Sequence, residues 1–166
     1  SLLDNYMFYA ISGLSHPSPK VRAASVAIMS TLLPLSPDLS ADIVKGSIPD
    51  LIKMAEEETW WEIHAYLLYL CSGLMKTFSS RGPATEEVDV SITMGVFEVI
   101  KLIFSPKLSR TIKLIGCTSL ARIVDINEEL SEMYLNVMCS LTTKDLNFIL
   151  SLRGQAGMEN PNYNIL

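Results

Sequence analysis

The chain is short of charge, and shorter still of positive charge. Asp, Glu, Lys and Arg make up 19% of its 166 residues, below the roughly one quarter usual in soluble domains. Thirteen Lys and Arg stand against 18 Asp and Glu, for a net charge of -5. A general nucleic-acid binder presents a basic surface, so nucleic acid is not the expected partner. With 49% apolar residues, the low charge also excludes disorder over most of the length. Long apolar runs are missing too. The longest, such as Tyr66 to Cys71, fall far short of the roughly 20 residues a membrane-spanning helix needs, so no membrane is expected. No basic segment precedes an apolar one at the start, so no signal peptide is read there. The chain opens on Ser1 and leads directly into an apolar helical pattern, and it is read as a domain of a longer protein.

Cysteine and histidine are equally sparse: Cys71, Cys117 and Cys139, with His16 and His64. An odd number of cysteines, each inside a helical pattern, argues against a disulfide framework. It points to buried free thiols in a reducing compartment, cytoplasm or nucleus. The five residues show no metal-ligand spacing. A Cys/His nucleophile needs an exposed thiolate beside a base, and these cysteines sit in apolar contexts. Gly154-Gln155-Ala156-Gly157 lacks the lysine and following helix of a phosphate loop. Glu56 to Glu58 and Glu86-Glu87 read as solvated runs rather than a paired-carboxylate cleft. The expectation is a protein without cofactor or metal that is not an enzyme.

What the sequence has is helical periodicity throughout, with no strand-like alternation. Leu3, Met7, Ala10, Ile11 and Leu14 mark a first helix, which Gly13 and Pro17 end. Ser18 is a good N-cap and Pro19 suits the first helical position. Val21, Ala24, Val26, Ile28, Leu32 and Leu33 then carry a second helix, ended by Pro34 and Pro37. Two helices joined by so short a turn lie antiparallel. In the next pair, Gly46-Ser47-Ile48-Pro49 interrupts the pattern, so the first helix is expected to be broken there or preceded by a short linker helix. Thr59 with Glu62 has capping-box spacing for the second, whose apolar run from Trp60 to Phe78 predicts cover on more than one side. Residues 79–89 read as a loop. A helix over 92–104 and its partner over 111–126 follow. Asn127 caps a further helix and Thr142 with Asp145 a last short one, carrying Phe148, Ile149 and Leu152. Residues 153–166 read as a tail.

Val21-Arg22, Ile63-His64 and Ile112-Lys113 hold the same place in three second helices, 42 and 49 residues apart. A period of about 40–47 residues of paired helices suits HEAT and armadillo repeats. His16-Pro17-Ser18-Pro19-Lys20-Val21-Arg22-Ala23-Ala24 resembles the HEAT signature of a Pro-containing turn, Val-Arg and small residues. Ile63-His64-Ala65 and Ile112-Lys113 with Gly116 keep parts of it. The resemblance covers roughly residues 2–152. It implies an all-α, right-handed α-solenoid of about four HEAT-like antiparallel pairs over residues 1–152, and a scaffold that binds another protein. Each pair leaves an apolar face that only the next can cover.

Two surfaces are candidates. A polar ladder of Arg22, His64 and Lys113 would line the concave face. The turn edge would carry Lys20 and Arg22, then Trp60 and Trp61, then Lys107 and Arg110, then Lys144. Neighbouring helix residues lie 100° apart, so Trp60 is expected outward and Trp61 in the core. Basic turns make the edge similar to tubulin-binding TOG-type arrays, although its second turn is acidic. A regulatory solenoid attached to an enzyme such as a kinase is the other alternative. The small residues Ala23, Ala24 and Ala27 are expected to let helices approach closely. In the tail, Asn160-Pro161-Asn162-Tyr163 matches the N-P-x-Y pattern read by PTB domains, while Tyr163, Ile165 and Leu166 are expected to cover the open end of the last repeat. The mean hydropathy of +0.30 suggests that some apolar surface is covered by more chain or by a partner.

Overall fold

The computed structural model describes residues 2–35, 41–80, 87–104 and 110–147. Lys107, Phe148 to Leu152 and the tail with its N-P-x-Y string lie outside the described residues. Every regular element among those described is helical: α1 (Leu2–Gly13), α2 (Pro19–Leu32), a 3-10 turn (Leu33–Leu35), α3 (Ala41–Glu57), α4 (Trp61–Ser79), α5 (Glu87–Ile103), α6 (Arg110–Leu120) and α7 (Glu128–Cys139). Residues 143–147 begin a further helical stretch. The protein is all-α. Its chain forms two compact units, Ser1–Lys107 and Leu108–Leu166.

In the first unit α1 and α2 pack as a hairpin, α2 packs on α4, and α4 packs on α5. The apolar run of α4 has cover on two sides, as its composition requires. Ile63, Leu67, Leu68, Leu70, Cys71, Leu74, Met75 and Phe78 are all buried. The second pair departs from the sequence reading: α3 packs chiefly on α5 and only marginally on α4. Gly95 makes this possible, because a Cβ there would stand 2.5 Å from Cγ2 of Ile48.

Pro49 does not break α3, which runs continuously through it. Lys45, Gly46 and Pro49 all lie on the exposed side. The carbonyl of Lys45, which loses its usual donor at Pro49, therefore falls on the solvent face and not in the core. The loop read over 79–89 is shorter than expected, since α5 already starts at Glu87. Glu87 and Asp89 in its first turn suit the positive end of a helix.

The inner face of α2 also differs. Val21, Ala24 and Ile28 are exposed, while Ser25, Val26, Met29 and Ser30 are buried. The close approach of α1 and α2 uses Gly13 against Ser25, and of the three alanines Ala24 is exposed while Ala23 and Ala27 are half-buried. The Ser30 hydroxyl donates to the Ala27 carbonyl at 2.8 Å, which satisfies it within its own helix.

In the second unit α6 packs on α7 through Ile112, Ile115, Cys117 and Leu120 on one side and Leu130 and Val137 on the other. The expected helix over 111–126 ends at Leu120. Beyond it the Arg122, Ile123 and Ile126 N–H groups donate three residues back, to Ser119, Leu120 and Ile123, and the chain tightens into turns. Asn127 caps α7 as expected, its side chain accepting from Leu130 N–H at 2.8 Å. No cysteine is bridged; Cys71 and Cys117 are buried, but Cys139, expected inside, is exposed at the end of α7. Burial pushes the Cys71 thiol up to about 12.

The Gly95 contact gives a test. Gly95→Ala should cost about 1–3 kcal/mol by overpacking against Ile48, and Ile48→Ala, which removes the Cγ2 methyl, should cost less in that chain than it does alone. Additive losses in a denaturant double-mutant cycle would contradict the contact.

Candidate functional site

The α1–α2 turn is built from local bonds. The His16 N–H donates to the Gly13 carbonyl, and the Ser18 N–H donates to His16 Nδ1 at 3.0 Å. Ser18 occupies the N-cap of α2 with Pro19 next. From the first turn of α2, Arg22 reaches back and donates through Nη1 to the carbonyls of His16 at 2.7 Å and Pro17 at 2.9 Å. Its Nε donates to Oε1 of Glu58, in the α3–α4 link. The side chains of Arg22 and Glu58 are 21% and 9% exposed, so solvent screens the pair only in part. The bond to Glu58, opposed by burial and aided by the charges of Glu58 and Glu57, raises the pKa of the guanidinium. Arg22 is thus a tie between successive turns, with its Nε and Nη1 donors spent inside the chain.

Between those turns lies a groove of about 240 Å³. The buried side chains of Leu14 and Met54 give it an apolar floor. Asp50, Lys53 and Glu57, three and four residues apart on α3, line it from one helix face. His16, Pro17 and the Arg22–Glu58 pair complete it.

Trp60 and Trp61 follow two and three residues after Glu58. The expected capping box at Thr59 is absent. Trp60 itself is the N-cap residue, with φ -79° and ψ 121°, and α4 begins at Trp61. Trp60 is 39% and Trp61 46% exposed, so the expectation of Trp61 in the core is corrected. The buried stripe of α4 begins only at Ile63, and Trp61 lies in the helix turn ahead of it.

The remaining candidates divide between the units. Lys20 is exposed. His64 is half-buried, and its Nε2 is shielded with no hydrogen-bond partner among the described residues. Desolvation lowers its pKa against the opposing effects of Glu58 and the Ala55 backbone. Two rungs of the expected ladder, Arg22 and His64, therefore both feel Glu58. Lys113 belongs to the second unit and is half-buried. There Arg110 Nε donates to Oδ1 of Asp145 at 2.5 Å, and Lys144 is exposed. Asp145 closes a capping box with Thr142: its carboxylate accepts from the Thr142 N–H at 3.0 Å and hydroxyl at 2.6 Å, and its own N–H donates to Thr142 Oγ1 at 3.3 Å. The Thr142 bonds, then Arg110, hold the Asp145 carboxyl down at about 2.

Among the described residues no group of three or more His, Cys, Asp or Glu side chains is placed to hold a metal ion. No described helix is long and apolar enough to cross a membrane. No protein-family model, curated protein or solved structure matches the chain.

Two predictions follow from the ties. Glu58→Gln leaves Arg22 partly buried without its charge partner and should cost about 1–3 kcal/mol. Amide exchange should accelerate in the α1–α2 turn and spare the interior of α4; uniform acceleration would contradict a turn-to-turn tie. For Asp145 the folded pKa lies below the ordinary 3.8. Its contribution to stability is complete above about pH 4 and is lost as pH falls toward 2. An NMR titration should show the Thr142 amide moving with an apparent pKa near 2, and a midpoint close to 4 would remove the capping box.

Proposed function

We propose that this chain is a non-catalytic protein-binding module, a right-handed solenoid of HEAT-like pairs that engages a partner protein through the turn edge of its first unit. The packing of α2 on α4 and of α3 on α5 supports a stacked reading, while α3 meets α4 only marginally and α4 packs on α5, so the second pair departs from a regular HEAT-like hairpin. The observation that carries the binding reading is the pair of adjacent exposed tryptophans, which follow Glu58 of the groove by two and three residues. Tryptophan is a frequent anchor of protein interfaces, and exposing two in one turn wastes burial unless something covers them.

The turn edge is favoured over the concave ladder because Arg22 is engaged with Glu58 and His64 is half-buried. An acidic partner such as tubulin needs free basic turns. Arg22 and Arg110 are each paired with an acid, which leaves Lys20 as the exposed basic residue of the first turn. Regulation of an attached enzyme would use the same edge within one longer protein.

Replacing Trp60 or Trp61 singly by alanine should cost less than the about 3–5 kcal/mol of truncating a buried tryptophan. A photocrosslinking residue at position 60 should capture a discrete partner protein in cells, while one at exposed Met94 should not. Equal capture at both positions, or none at 60, would count against this surface.

A further inference from the structure

We infer that the partner segment received at this edge is basic: a lysine- or arginine-bearing stretch of polypeptide that places one cationic side chain in the groove and lies across the tryptophans. The inference rests on the protein-binding reading above and specifies the partner's chemistry.

Size is the first argument. At about 240 Å³ the groove falls below the roughly 300–1,000 Å³ of sites that enclose a whole small molecule, so it suits one side chain. Its floor is apolar, from Leu14 and Met54, and an apolar floor accepts the aliphatic stem of a lysine or arginine while the charged head stays at the rim.

Charge is the second. Arg22 and Glu58 neutralise each other. Lys53 stands between Asp50 and Glu57 on the same helix face, so the lining keeps one uncompensated negative charge. Glu56 is exposed before the tryptophans and Glu62 is half-exposed after them. Lys20 is exposed on the same edge and offsets one of these charges; the remaining excess of carboxylates repels an acidic segment and attracts a basic one.

The tryptophans are the third, and they are independent of the carboxylates. An open indole face attracts ammonium and guanidinium groups, and guanidinium both stacks on aromatic rings and forks onto carboxylates. Trp60 is two residues along the chain from Glu58, which lines the groove, so their Cα atoms lie within about 7 Å. A single short segment reaches both features.

The test uses three short peptides of equal apolar content, bearing arginine, glutamine or glutamate at the same positions, added to the full chain. The only two tryptophans follow Glu58 of the groove by two and three residues, so their emission reports binding. The arginine peptide should shift the emission and bind at least about tenfold tighter than the glutamine peptide, and the glutamate peptide should not bind. Asp50→Asn with Glu57→Gln should weaken the arginine peptide about three- to tenfold, as should raising the salt concentration. Glutamine or glutamate peptides that bind as well as the arginine peptide would overturn the basic partner and leave protein binding standing. Arginine binding unchanged in the Asp50/Glu57 variant would overturn the groove. Absence of binding by all three would overturn the inference, while crosslinking at position 60 decides the parent reading separately.

Discussion

The first unit depends on the burial of α4. Helices α2 and α5 pack against it, and its buried positions run from Ile63 to Phe78. Each large apolar side chain so buried contributes about 1.5–3 kcal/mol, against the conformational entropy lost on ordering it. The other helices take their places from this one. Helix α1 is held through α2, and α3 through α5. Because the buried stripe starts at Ile63, the first turn of α4 is left over, and the exposed tryptophans are a by-product of where the core stops.

The two arginine–acid ties share a design. Arg22 and Arg110 each stand in the first turn of their helix, and each pairs with an acid 36 or 35 residues further on. In both units the acid lies beside or within the next turn. Such a tie fixes one turn against another without needing a core of its own. It also cancels the positive charge of those turns, so the groove beside Arg22 keeps the acidic character of α3 and its link.

Helical content, the first hairpin, the side-chain caps at Asn127 and Thr142 and the apolar nature of α4 were all legible, because they are local signals of periodicity and capping; Ser18 marks the start of α2 but its side chain makes no capping bond. The failures lie where tertiary context decides. Pro49 looks like a breaker, but its harm falls on the solvent face of α3. Ala24 looks like a packing residue, yet it is exposed and Gly13 meets Ser25 instead. Trp61 reads as core from the run that follows it; its exposure follows from a one-residue shift of the helix start, which removes the capping box at Thr59. Arg22 was found by its motif, but its partner was not. Glu58 sits in a run of three acids, and nothing local distinguishes the one that turns inward.

The pairing of α3 with α5 also shapes how the chain is made. Helix α2 is able to close on both α1 and α4 once residue 79 has left the ribosome. Helix α3, although translated before α4, has its main packing partner in α5, after the following link. Until α5 emerges, Ile48 and its neighbours present an apolar helix face to the surroundings, the kind of transient surface that invites chaperones or misassembly. Gly95 is thus a latecomer's contact: it completes, near the end of the unit's synthesis, a surface laid down near its beginning.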